Sequence, residues 1–141
     1  MPEPNFLPEP NFPPEPNFPT VKISNRQSDR VHMMITYMAE HYTRKLTMEQ
    51  IADAAGLSKG HAMGIFKKML GISINRFLTL LRLHHAKSAL ADGDEKVLNI
   101  AIDSGFGSLS RFYEVFNDEI GYTPQEWRRL QHSIFSQGTA E

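Results

Sequence analysis

The sequence predicts an all-α fold in which two helix-turn-helix subdomains are joined by a long connector helix. Three observations predict it. First, Ile51-Ala52-x-x-Ala55-Gly56-Leu57 returns as Ile100-Ala101-x-x-Ser104-Gly105-Phe106. Second, Phe66, Gly71 and Ser73 return as Phe116, Gly121 and Thr123, one residue further on, so the second copy carries one extra residue between Gly105 and Phe116. Third, the apolar residues around both copies recur at the helical i, i+3, i+4 spacing. Stacked solenoids need three or more such helix pairs. Two pairs on one connecting helix are the better reading.

The chain opens with a low-complexity tail, residues 1–27. PEPNF occurs three times, at Pro2–Phe6, Pro8–Phe12 and Pro14–Phe18, with Leu7 and Pro13 as spacers. Proline fixes φ and removes a donor, so helix and sheet are both disfavoured. The expectation is an extended, disordered tail of up to roughly 3.1 Å per residue. The rival reading makes its phenylalanines docking knobs for a partner groove.

Ser28 is expected to cap the first helix and to open a domain of residues 28–135. The first subdomain covers 28–73, the connector 74–91 and the second subdomain 92–135, with a short tail at 136–141. Val31, Met34, Ile35, Met38 and Tyr42 form one apolar stripe, and Met33, Met34 and Met38 read as core filler.

Thr47 can cap the next helix, with Ile51, Ala54 and Ala55 on its inner face. Gly56 supplies a turn with φ > 0, where a β-carbon would be costly. Leu57 packs inward and Ser58 caps the following helix. That helix buries Ala62, Ile65, Phe66 and Met69 and leaves Lys59, Gly60, Met63, Gly64 and Lys67 on another side. Gly71 ends it. Ser73 then caps a helix from Ile74 to Ala91, stopped by Asp92-Gly93-Asp94. This helix is apolar on two faces, Ile74, Phe77, Leu78 and Leu81 on one and Leu80, Leu83 and Leu90 on the other, as befits a connector between two packed bodies.

Composition narrows the function. With 141 residues the chain is near the size of one domain. Net charge is −1 and cysteine is absent, so no disulfide framework exists, in keeping with a reducing cytoplasm. No apolar run approaches the 18 or so residues needed for a bilayer span, and the start lacks the features of a secretory signal. Neither a Gly-rich phosphate loop nor HExxH is present. The histidines are scattered, and His84 and His85 point about 100° apart on a helix, poor geometry for a shared metal. An enzyme, a metal site and a cofactor are therefore not expected.

Charge is uneven. Between Ala54 and Ala91 there is no acid, while Lys59, Lys67, Lys68, Arg76, Arg82 and Lys87 are basic. Phosphate attraction dominates affinity for nucleic acid, so the footprint is expected there. From Asp92 to Trp127 eight acids face only Lys96 and Arg111.

A helix-turn-helix unit lays its second helix in the DNA major groove. The residues Ile51-Ala52, Gly56-Leu57-Ser58, Phe66-Lys67-Lys68, Gly71-Ile72-Ser73, Ile100-Ala101 and the second-unit run GFxSxSxFxxxFxxxxGxTPxxWR from Gly105 to Arg128 resemble the DNA-binding domain of the AraC/XylS family of bacterial transcription regulators. Ala62–Phe66 and Ser110–Tyr113 are most similar to the melibiose-operon regulator subgroup. The resemblance covers roughly three quarters of the chain. It implies about seven helices, monomeric binding to an asymmetric site on double-stranded DNA, and promoter regulation with RNA polymerase as a partner.

Mapped onto this chain, the resemblance places DNA-binding positions at Lys59, Gly60, His61, Met63, Gly64, Lys67 and Lys68 in the first unit. In the second they fall on Ser108, Leu109, Ser110, Arg111 and Tyr113. An Arg often stands where Gly64 is; such an Arg would read guanine bidentately. A mid-helix Gly costs about 1 kcal/mol relative to Ala, and close approach of backbone to DNA is the gain expected to offset it. Met63 can contact a thymine methyl, Arg111 a guanine and Glu114 a cytosine amine. Asn117 and Asp118 stand where the family commonly has basic residues. The alternative function is a helical adaptor that binds protein rather than DNA. Family members usually carry a ligand-sensing domain, which the Pro-rich tail is too short to build; a stand-alone regulator and a DNA-binding fragment both remain open.

Overall fold

Most helix starts in this chain are written in its Ser and Thr residues, and the computed structural model, which describes residues 25–139, shows them in use. Seven helices follow in order: α1 (Asn25–His41), α2 (Met48–Ala54), α3 (Lys59–Leu70), α4 (Ile74–Asp92), α5 (Val97–Asp103), α6 (Leu109–Ile120) and α7 (Pro124–Thr139). No strand occurs among the described residues, and none of their helices is long and apolar enough to cross a membrane. The PEPNF array lies outside the described residues.

Thr47 starts α2 with a reciprocal box. Its hydroxyl accepts from the Gln50 amide at 3.1 Å, and its own amide donates to Gln50 Oε1 at 2.9 Å. Thr123 and Glu126 repeat the device at α7. Ser58, Ser73 and Ser108 accept from the amides of His61, Arg76 and Arg111, capping α3, α4 and α6. Each such cap contributes about 1 kcal/mol by satisfying an otherwise orphaned donor. The α2–α3 and α5–α6 turns pass through Gly56 at φ +68° and Gly105 at φ +98°. Both lie in the left-handed region that a β-carbon disfavours.

Two separate cores result. Val31, Met34 and Met38 of α1 close on Ile51, Ala52, Ala55, Ala62, Ile65 and Phe66, with Ile74 and Leu78 of α4. The second core joins Leu83, Ala86 and Leu90 of α4 to Ile100, Ala101, Phe106, Phe112, Val115 and Phe116. The connector therefore donates its first half to one core and its second half to the other. Aromatic rings pack in both cores: Phe77 of the connector meets Phe66 of α3 edge-on at 5.6 Å, and within α6 Phe112 lies 5.5 Å from Phe116, the offset geometry aromatic pairs favour.

Four details differ from expectation. Helix α1 begins at Asn25, so Ser28 sits in its first turn and is not its cap. Ala52, not Ala54, joins Ile51 and Ala55 inside; Ala54 is exposed. Met33 and Leu80 are exposed rather than core. For the alanines, Met33 and Leu80 the reason is the 100° step per residue, which sets which side chain falls just inside or just past the edge of the buried stripe.

Candidate nucleic-acid interface

Capping sets where each second helix begins, and burial sets which way it faces. In α3, Ala62, Ile65 and Phe66 are buried. Lys59, Gly60, His61, Met63, Gly64, Lys67 and Lys68 are all exposed. In α6 the buried set is Phe112, Val115 and Phe116. Leu109, Ser110 and Arg111 are exposed, together with Glu114. Thus both units present one solvent-facing surface of their second helix.

The α3 surface borders a groove of about 740 Å³, lined by Lys59, Met63, Gly64, Lys67 and Lys68. Its opposite rim is Met48 with Ser73, Ile74 and Asn75. Sequence reasoning did not assign Met48 or Asn75 to the interface; the only signal was the Ser73 cap, which places the start of α4 beside the end of α3. A β-carbon built on Gly60 or Gly64 meets nothing within 4 Å. Neither glycine is therefore required by packing inside the protein.

Two residues of the second set are committed to the protein. The Ser108 hydroxyl accepts from the Arg111 amide at 3.1 Å as the α6 cap. Tyr113 is half-buried against the second core; its ring stands edge-on to Phe112 at 6.2 Å, and its hydroxyl accepts from the side chain of Gln125 on α7. Tyr113 thus faces the α6–α7 junction more than open solvent.

The basic run divides the same way. Arg76 pairs with Glu119 at the end of α6, donating to its carboxylate at 2.6 Å. The charge pattern places Arg76 among the candidate phosphate-binding cations; in the fold it is shared with Glu119, so any phosphate must compete with that carboxylate. Arg82 donates to two backbone carbonyls. Burial lowers its pKa from the ordinary arginine value, yet a guanidinium stays cationic. Lys87 stands over the Trp127 ring, 5.1 Å from its centroid. Lys59 lies 3.4 Å from Glu49. A backbone hydrogen bond, and then Lys59, hold the Glu49 carboxyl below its usual pKa. Among the described residues, Lys67 and Lys68 have no acidic partner within ion-pair distance. On α6, Arg111 lies 3.5 Å from Glu114, both well exposed; such a pair exchanges readily for a stronger partner.

Comparison with known proteins bears on this arrangement. The helix-turn-helix domain family matches residues 51–130. The melibiose operon regulatory protein of Escherichia coli K12 is 34% identical over 108 residues, covering 77% of this chain and 36% of that protein. An uncharacterised HTH-type transcriptional regulator of Staphylococcus aureus is 30% identical over 100 residues, covering 71% of this chain and 13% of the other. The chain thus spans about a third or less of these curated relatives. Among solved structures, the C-terminal domain of AraT, a response regulator from Geobacillus stearothermophilus, superposes with a TM-score of 0.71 at 27% identity, covering 74% of this chain and 88% of that one. The DNA-binding domain of the global transcriptional factor AdpA, solved with a target DNA, shares the fold with a TM-score of 0.72 at 21% identity, over 77% of this chain and 97% of that one. With the domain matched across more than half its length and two capped second helices each showing one free face, the chain belongs to the AraC/XylS family of helix-turn-helix DNA-binding domains.

Proposed function

We propose that this domain binds double-stranded DNA sequence-specifically, with α3 and α6 in successive major-groove segments, and so regulates a promoter with RNA polymerase as its protein partner. The observation that supports this best is the matched pair of exposed faces on α3 and α6, carried by one connector whose halves belong to the two cores. The melibiose operon regulatory protein and the AdpA complex support the same reading.

Roles follow from chemistry and position. Lys67 and Lys68 are phosphate contacts, and Lys59 joins them by exchanging Glu49 for phosphate. Gly60 and Gly64 let the α3 backbone approach the groove floor, His61 reaches the DNA backbone, and Met63 meets a thymine methyl. Arg111 reads guanine and Ser110 a neighbouring base edge, with Leu109 in apolar contact. Ser108 contributes by fixing the start of α6, and Tyr113 by fixing its seating against α7. The first unit anchors and the second discriminates.

Selection of binding sites from random duplex DNA, followed by salt titration, tests the proposal. It should return an asymmetric motif with two segments about one helical turn, roughly 10 base pairs, apart, bound with an affinity that falls as salt rises. The acid-rich second unit favours the protein-adaptor reading; salt-insensitive association with DNA, or no enriched motif, would decide for it.

A further inference from the structure

Deeper in the molecule than the reading faces, the two units touch, and one side chain sits at the contact. Arg82 lies mid-connector. Its Nε donates to the Tyr42 carbonyl at 2.9 Å and its Nη2 to the Arg44 carbonyl at 3.0 Å. Both acceptors belong to the α1–α2 loop of the first unit. On its other side is the turn of the second unit, where a β-carbon on Gly105 would lie 2.8 Å from Arg82 Nε and 2.2 Å from the Tyr42 carbonyl oxygen. Only a glycine fits so close. The Tyr42 hydroxyl also hydrogen-bonds His85 Nδ1 at 2.8 Å, one turn along the connector.

We infer that Arg82 is a positioning residue: by clamping the α1–α2 loop against the Gly105 turn, it fixes the orientation of α6 relative to α3 and thereby the spacing between base-pair segments that the domain accepts. A helix alone does not fix this. The connector sets the distance between the cores, but rotation and bending about it change where the reading faces point. The clamp opposes both, because its two donors are planar and rigid and its acceptors are backbone atoms that no rotamer change can withdraw. The exposed Arg76–Glu119 pair ties α6 to the start of the connector and adds less, being open to solvent. Arg82 touches no DNA in this account.

The inference rests on the DNA-binding reading only for its consequence, and the test separates the two. The chain contains no cysteine, so spin labels at Asp53→Cys and Asp118→Cys, one in each unit and both on exposed positions, report the inter-unit distance without DNA. Pulsed electron–electron resonance should give one narrow distance in the parent. Arg82→Ala should broaden it, and so should Arg82→Lys, which keeps the charge but lacks two coplanar donors to span both carbonyls. An unchanged width overturns the inference, whether or not the protein binds DNA. On the selected DNA, one inserted base pair shifts the second segment by about 3.4 Å and about 34°. The parent should lose about tenfold in affinity and each Arg82 variant about threefold or less, with base preferences within each segment unchanged. Equal weakening of an Arg82 variant at every spacing would make Arg82 merely structural and overturn the inference, while leaving DNA recognition intact.

Discussion

Gly64→Ala separates the folding cost of a residue from its use. Gly64 lies in the interior of α3, where glycine is about 1 kcal/mol worse than alanine because it frees the unfolded backbone and fixes nothing in the helix. Usually such a glycine is held by packing. Here a β-carbon would meet no protein atom within 4 Å, so the substitution carries no clash to offset the gain. The free protein should therefore become more stable by about 0.5–1 kcal/mol, a rise of about 4 °C in melting temperature for a domain of this size. Binding should move in the opposite direction. If the α3 backbone lies against the groove floor, an added methyl holds the helix off and lengthens several contacts at once, and about tenfold weaker binding is the expected result, equivalent to about 1.4 kcal/mol. Thermal unfolding by circular dichroism and fluorescence anisotropy on the selected duplex measure the two sides. Gly60→Ala is the internal comparison. It is equally open but sits in the first helical turn, where the interior penalty is smaller, so its stability gain should be smaller too. A Gly64→Ala protein that melts higher and binds as tightly as the parent refutes the close-approach reasoning; one that melts lower refutes the open geometry.

Four further outcomes are expected. Lys67→Ala with Lys68→Ala should reduce the salt slope of log K by about 1.8, taking about 0.9 per phosphate contact, and weaken all sequences alike; a retained slope with lost base preference would sink that assignment. Arg111→Ala should cost about 1–3 kcal/mol on the selected site and relax preference at one base position, measured by repeating the site selection. Glu49→Gln should tighten binding to random duplex at low salt by freeing Lys59, and unchanged affinity would show that Lys59 is not a contact. Ser104→Ala should raise the melting temperature by roughly 4 °C, about 1 kcal/mol. The Ser104 hydroxyl is fully buried without a hydrogen-bond partner, and the equivalent position in the first unit is Ala55.

Much of this architecture is legible in the chain because its punctuation is local. Thr47, Ser58 and Ser73 mark helix starts, and Gly56 and Gly105 mark turns, through interactions that span at most four residues. Apolar spacing then assigns Ile65, Phe66, Phe112 and Phe116 to the cores. Ambiguity enters at the edges of a stripe. Ala52 and Ala54 both lie close to the inner face of a seven-residue helix, and alanine's small side chain gives little reason to choose. Ser28 resembles a cap, yet a serine is also tolerated in a first turn. What the spacing could not show is where a long side chain ends. Arg76, Arg82 and Lys87 look like a charged footprint in one dimension; only the folded arrangement brings Glu119, the 42–44 loop and Trp127 within their reach.

That reassignment changes how the domain must hold DNA. Of the six bases in the acid-free run, three make contacts within the protein and one is shared with Glu49, so the run's unengaged cations come down to Lys67 and Lys68. The second unit adds Arg111 against a local excess of acid. The two reading helices, α3 and α6, thus carry few cations with which to bind strongly alone. Two weak sites become a strong one when the first binding event presents the second at high effective concentration, and that gain is greatest when the spacer matches the span and is lost when it does not. A flexible connector would spread the second unit over many orientations and dilute the gain. For a domain with few phosphate contacts, the rigidity supplied at the Arg82–Gly105 junction is accordingly a determinant of affinity as well as of spacing. On this reasoning either unit presented with only its own half of the site should bind weakly, and joining the halves at the preferred spacing should raise affinity far more than at any other.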